Sequence, residues 1–185
     1  MCTLVVIAGL CPDVPLVVAA NRDELYARAS TGPAVLVSAP RIVGGRDLSK
    51  GGTWLGVTEQ RFFVGVTNQR SWSAPDPDRR SRGELVLAPL REGAVSAAEA
   101  SLRLVDAREC NPFKLLFGDA ESLRVACARD GRAEIAIEPL GRGVWVLSND
   151  TIGSRDFPRH PARRASSARE RRARGKSCGP RSSPR

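Results

Sequence analysis

The sequence has very little of the residues from which zinc sites and histidine-based catalytic centres are built. It contains one histidine, His160, and its five cysteines form no Cys-x-x-Cys pair. Because zinc sites need closely spaced cysteine and histidine ligands, we expect no bound metal. The odd number of cysteines also differs from the even disulfide framework of small secreted domains, so we expect a reducing, cytoplasmic location.

Early basic residues and long apolar runs are also lacking. The first basic residue is Arg22, whereas a signal peptide begins with a basic segment. Pro12, Asp13 and Pro15 interrupt the apolar stretch that starts at Leu4, which argues against a membrane-spanning helix. No strand is followed by a GxGxxG turn and a helix, so the sequence does not predict a dinucleotide site.

The net charge of +9 is confined to one end of the chain. Residues 1–153 hold equal numbers of acidic and basic side chains, and the excess of arginine lies in residues 154–185 together with serine and proline. Such a segment cannot bury a core, and we predict a disordered tail. It lacks aromatics for base stacking, so nucleic acid is expected to bind it only non-specifically. Out-of-frame translation of a GC-rich gene is another interpretation.

Residues 1–153 suit one domain of mixed secondary structure. Runs of β-branched residues predict six strands, at Thr3–Ala8, Leu16–Ala20, Trp54–Thr58, Phe62–Thr67, Leu123–Ala128 and Gly143–Leu147. Shorter strands are predicted at Lys114–Phe117 and Glu134–Ile137, and helices at Gly83–Arg91 and Ser96–Arg108. The glycine pairs Gly44–Gly45 and Gly51–Gly52 predict tight turns. This order of elements favours an α+β layer protein with a mainly antiparallel sheet.

Cys2 follows the initiator methionine directly. Cysteine is small enough for an aminopeptidase to remove Met1, and Cys2 would then carry both a thiol and a free α-amine. An α-amine with an ordinary pKa of about 7.7–8.0 can serve as the general base for its own thiol. The structural interpretation is that a cysteine after the first methionine has no special role.

Six ordered motifs carry a family resemblance. They are Met1-Cys2-Thr3, Ala20-Asn21-Arg22-Asp23-Glu24, Gly51-Gly52-Thr53-Trp54-Leu55-Gly56, Thr67-Asn68, Arg82-Gly83-Glu84-Leu85-Val86 and Leu147-Ser148-Asn149. Over residues 1 to about 153 the chain resembles the NRDE family, also called the transport and Golgi organisation 2 family. The resemblance implies the αββα sandwich of N-terminal-nucleophile hydrolases. Members usually continue with further strands, so we expect a sandwich that is incomplete at the C-terminus, with an open sheet edge and weak stability.

The resemblance to choloylglycine hydrolases and penicillin acylases implies roles for five residues. Cys2 would be the nucleophile, and Asp23, with Arg22 nearby, would orient its α-amine. Asn68 would donate to the oxyanion, and Asn149 would be the second active-site asparagine. A late arginine of those hydrolases has no counterpart that the sequence identifies.

Structural interpretations exist for the same residues. Asp23 suits a helix N-cap, and Asn68 and Asn149 suit the turns that end strands. Arg82 and Glu84 suit a solvated pair at the start of a helix.

Two functions therefore stay open at this point. The family resemblance implies haem or metabolite trafficking, and the nucleophile motif implies hydrolysis of small linear amides. Neither requires a resident cofactor, and the partner is a small-molecule ligand or substrate. Transient haem binding is the form expected, because the candidate axial ligands are only the cysteines, Met1, Tyr26 and His160.

Overall fold

The computed structural model describes residues 2–71 and 74–149, and these form three layers. Two antiparallel sheets stack face to face, and two helices cover the outer face of the larger sheet. Within the described residues, no helix covers the outer face of the smaller sheet. The predicted α+β class is confirmed, whereas the boundary at Gly153 and the basic tail lie outside the described residues.

The smaller sheet brings the beginning of the chain beside residues near position 147. It contains β1 (Thr3–Ala8), β2 (Leu16–Asn21) and β10 (Gly143–Leu147), in the order β10-β1-β2. Both pairings are antiparallel, so the predicted first hairpin is confirmed. Alternate residues of β1 are buried, as expected for a strand with one face against the core.

The larger sheet is a meander in which each strand pairs with the next along the chain. Its seven strands are β3 (Ser30–Ser38), β4 (Arg41–Asp47), β5 (Leu55–Thr58), β6 (Phe63–Asn68), β7 (Phe113–Gly118), β8 (Leu123–Ala128) and β9 (Ala136–Leu140). Strand β7 is buried along its whole length. Phe113, Leu115 and Phe117 face the helices, while Leu116 faces the smaller sheet. The second predicted hairpin is confirmed as β5 and β6.

Helix α1 (Arg82–Glu92) is defined by its caps. The Ser81 side chain accepts a hydrogen bond from the Gly83 amide, and the helix ends at Gly93, whose φ of 67° is left-handed. Helix α2 (Val95–Arg103) is shorter than the predicted Ser96–Arg108. Asp106 accepts a hydrogen bond from the Arg108 amide and begins a separate 3-10 turn instead. None of the described helices is long and apolar enough to cross a membrane.

Strands β3 and β4 were not predicted, and the interpretation of Gly44–Gly45 as a turn is wrong. Both glycines lie inside β4 and are buried. A Cβ atom on Gly45 would lie 2.5 Å from the ring of Trp54, so a side chain there would displace the tryptophan. Gly51 does lie in a turn, with a φ of 76°.

Candidate active site

Cys2 lies immediately before β1, the central strand of the smaller sheet. It is half-buried, and its Sγ lies 4.0 Å from the main-chain oxygen of Asp23. The antiparallel register that pairs Thr3 with Asn21 brings the start of β1 beside the residues that follow β2. The fold therefore places Cys2 and Asp23 together, although they are distant in sequence.

The exposed Asp23 carboxylate accepts hydrogen bonds from two groups. A hydrogen bond from the amino terminus of the chain, and then one from the Asn21 side chain at 2.8 Å, lower the pKa of Asp23 below its ordinary value. No helix begins near Asp23 in the described chain, so the interpretation of this residue as a helix N-cap is wrong. The Asn21 side-chain amide thus holds the Asp23 carboxylate in place.

Arg22 joins the two sheets. Its guanidinium carbon lies 4.4 Å from the centroid of the Trp54 ring, and its Nη1 donates to the Ser30 hydroxyl over 3.2 Å. Its Nη2 also lies 3.8 Å from a carboxylate oxygen of Glu24. A guanidinium stacked on an aromatic face is held in one orientation. Arg22 is thus a fixed positive charge near Asp23, at the start of the segment that follows β2.

Asn68 and Asn149 line one pocket of about 190 Å³. Asn68 is the last residue of β6, and the main-chain oxygen of Asn149 accepts a hydrogen bond from the Arg70 amide at 2.6 Å. The side-chain oxygen of Asn149 is buried without a hydrogen-bond partner among the described residues. Two asparagines that are distant in sequence therefore line a common space.

The family model described as Transport and Golgi organisation 2 matches residues 1–172. The chain belongs to this family. The matched range runs past Gly153, where composition predicted the end of the domain.

Curated relatives carry the same family description. The human transport and Golgi organization protein 2 homolog is 32% identical over 143 residues. The mouse homolog is 31% identical over 139 residues. Each alignment covers 72% of this chain and 50% of the relative. The chain thus spans about half the length of the curated relatives it matches.

Two solved structures share the fold at 12% identity. The N-acylethanolamine-hydrolyzing acid amidase ortholog of Caenorhabditis elegans has a TM-score of 0.63, with 94% of this chain and 80% of that chain covered. A mutant conjugated bile acid hydrolase from Clostridium perfringens has a TM-score of 0.54, with 95% and 58% covered. The N-terminal-nucleophile hydrolase fold expected for this member of the transport and Golgi organisation 2 family is confirmed.

Arg82 is a residue of the candidate site that the sequence did not identify in this role. Glu84 pairs with Arg80 at 3.7 Å, while Arg82 Nη1 lies 3.4 Å from the main-chain oxygen of Pro112 and lines the pocket of the two asparagines. The predicted solvated pair of Arg82 and Glu84 is therefore wrong. Burial, and then the charge of Arg28, lower the pKa of Arg82, and negative charge on Cys2 acts in the opposite direction.

Lys114 is the second unpredicted residue. It is only 2% exposed, and its Nζ donates to the main-chain oxygen of Ser148 over 2.9 Å. A buried ammonium is costly unless its protons are hydrogen-bonded, so this contact fixes the segment that leads to Asn149. The sequence signal was a single charge within the otherwise apolar strand Phe113–Gly118.

Proposed function

We propose that this chain hydrolyses small linear amides, with Cys2 as the nucleophile after removal of Met1. The observation that carries the proposal is that Cys2 and Asp23 lie together at one end of the β1–β2 hairpin, where a hydrogen bond to the amino terminus lowers the pKa of the Asp23 carboxyl. The pocket of Asn68 and Asn149 lies at the same end of the smaller sheet, because the antiparallel register that pairs Leu4 with Leu147 brings the residues before β1 beside those after β10. The chain also shares its fold with an N-acylethanolamine-hydrolyzing acid amidase and with a conjugated bile acid hydrolase.

In the proposed reaction, the α-amine of Cys2 takes the proton of its thiol, and the thiolate attacks the amide carbonyl carbon. An Asn68 amide donating to the oxyanion is worth about 10²–10³ in rate. The C–N bond then breaks as the α-ammonium protonates the leaving nitrogen, which leaves a thioester on Cys2. The α-amine next deprotonates a water molecule that hydrolyses the thioester, and the proton returns to the sulfur. Asp23 keeps the amine oriented through both steps.

The first experiment is intact-mass measurement before and after brief alkylation with iodoacetamide, followed by peptide mapping. We expect Met1 to be absent and Cys2 to be modified well ahead of Cys110 and Cys127. Burial raises the pKa of both of these thiols, so little of their reactive thiolate is present near neutral pH. A retained Met1, or a Cys2 that reacts no faster than the buried thiols, excludes this mechanism.

Substitutions of two cysteines provide the matched comparison. In a screen of linear amides, Cys2→Ala should abolish hydrolysis, whereas Cys11→Ala should leave it unchanged, because Cys11 is exposed in the β1–β2 turn.

The four cysteines of the described chain are free thiols, which fits the cytoplasmic location that we propose.

Carriage of haem or another metabolite is the second candidate function, and an apolar cleft favours it. The cleft of about 540 Å³ lies between β2 and the β4–β5 region, and Leu16, Val18, Trp54 and Phe63 are among its lining residues. No cysteine, histidine, tyrosine or methionine of the described chain lines it. An apolar metabolite, or haem held transiently without a fixed axial ligand, suits such a lining.

Haem titration followed by the Soret band and by tryptophan fluorescence tests this second function. Val18→Asn puts a polar group into the cleft and should weaken binding. Val17→Asn is the matched control, because neighbouring strand residues point to opposite faces and Val17 is 40% exposed. Equal binding by both variants contradicts the use of this cleft.

A further inference from the structure

We propose that a pocket at the beginning of α1 binds an anionic group, a carboxylate or a phosphate, carried by the ligand of this protein. The pocket has a volume of about 180 Å³ and adjoins the pocket of Asn68 and Asn149. Five cationic side chains line it, from Arg28, Lys50, Arg79, Arg80 and Arg82, against one carboxylate, that of Asp76.

The protein itself neutralises only part of this charge. Arg28 donates to Asp47 over 2.5 Å, Arg79 lies 3.6 Å from Asp76, and Arg80 lies 3.7 Å from Glu84. Lys50 and Arg82, in contrast, form no ion pair with a carboxylate among the described residues. In the described part of the chain, two cations of the same small pocket therefore have no carboxylate within ion-pair distance.

The surroundings of Arg82 also favour the binding of an anion. Arg82 is half-buried, and burial together with the nearby charge of Arg28 lowers its pKa. The arginine also occupies the first turn of α1, where the helix dipole adds positive potential. Repulsion between Arg82 and Arg28 is a cost that an anion in the pocket would relieve, because it would attract both guanidinium groups.

Because this pocket adjoins the pocket of the two asparagines, it can determine which ligands bind there. Pro75, Arg82 and Asn111 line both this pocket and the pocket of the two asparagines, so a single ligand can occupy the two spaces. Asn111 is fixed there by hydrogen bonds to the main chain of Asp76, of 2.9 and 2.7 Å. The substrate class is then an amide that carries a carboxylate or phosphate. This last step rests on the proposed hydrolase function, whereas anion binding does not.

Calorimetric titration with inorganic phosphate, and separately with acetate, at constant ionic strength tests the site. Lys50 is exposed, so Lys50→Gln should fold normally and weaken the binding of the preferred anion about ten-fold, the usual effect of losing a charged hydrogen bond. Arg41→Gln, which removes an exposed charge on β4, should leave binding unchanged. Absence of binding to the unaltered protein, or equal weakening in both variants, overturns the proposal.

The Cys2→Ala variant separates the two proposals. It should bind phosphate or acetate as the unaltered protein does, because Cys2 does not line this pocket. If Cys2 proves unreactive while the Lys50-dependent binding persists, the anion site stands and the hydrolase function fails. If amides are hydrolysed, Lys50→Gln should raise KM for anionic amides about ten-fold and leave neutral amides unaffected. Equal KM changes for both classes would refute the role in substrate choice.

Discussion

At the scale of single residues, hydrogen-bond donors control the pKa of the Asp23 carboxyl. The amino terminus, and then Asn21, lower its pKa below the ordinary value of 3.8. A carboxyl whose folded pKa is depressed adds stability above its unfolded pKa and loses that contribution as the pH falls through the folded value. Near neutral pH the Asp23 group is therefore ionised, as the orientation of an α-amine requires.

Removal of either donor should raise the pKa of Asp23. Asn21→Ala should raise it in part, and acetylation of the amino terminus should raise it further, because the terminal group has the larger effect. Carboxyl-carbon NMR titration measures both changes. Asn111→Ala is the control, since that side chain bonds the main chain of Asp76 instead. An Asp23 pKa that does not respond to acetylation contradicts the described contact.

Some residues of the candidate site can be identified from the sequence and others cannot. Cys2, Asp23, Asn68 and Asn149 were identified because motifs point to them, and the structure groups the first two together and the last two together. The placement of Arg82 could not be deduced in the same way. Whether an arginine at a helix start is solvated or buried depends on strands that come from elsewhere in the chain.

At the scale of elements, α1 approaches the β4–β5 connection closely because both sides carry glycine. A Cβ on Gly52 would lie 2.6 Å from the carbonyl carbon of Gly83, and a Cβ on Gly83 would lie 3.0 Å from the Gly52 Cα. A side chain at Gly52 would therefore force the two segments apart, and one at Gly83 would need a small shift of its neighbour. The contact sets the beginning of α1, and with it Arg82, against the larger sheet.

Gly52→Ala should therefore destabilise the fold by about 1–3 kcal/mol, the usual cost of overpacking. Urea unfolding measures this loss. Gly141→Ala is the matched control, because a Cβ there meets nothing within 4 Å. The Gly52 variant should also weaken anion binding, since the displaced helix carries Arg82 away from the pocket. Equal urea midpoints for the Gly52 and Gly141 variants would show that a Cβ atom fits between Gly52 and Gly83.

Elements with a clear apolar period were predicted well, and β3 and β4 were not. Thr3–Ala8, Leu123–Ala128 and Gly143–Leu147 were predicted with the bounds that the structure has. Strand β4 contains Gly44, Gly45 and three charged residues, so its sequence has neither alternation nor an apolar run. Hydrogen bonding to β5 therefore stabilises β4 as a strand, although the strand propensity of its own residues is low.

At the scale of the whole molecule, two cores of unequal size meet at the larger sheet. Among the described residues, the core beneath the helices contains 16 buried apolar residues, whereas the core between the sheets contains 8. The apolar packing of the smaller sheet is the second core, and in the described part of the chain its strand β2 pairs only with β1. The candidate nucleophile is thus carried by the layer with less apolar burial.

Hydrogen exchange should reveal this difference. The residues of strand β2 are half-buried or exposed, and β2 lies at an edge of its sheet. Strand β7 is buried and is paired on both sides. The amides of β2 should therefore exchange much faster than those of β7. Mass-spectrometric exchange on the intact chain measures both strands at once, and similar protection would contradict the unequal cores. A ligand in the apolar cleft contacts Leu16 and Val18 of β2, so its binding should slow β2 selectively. An anion at α1 lies away from β2 and should leave that exchange unchanged.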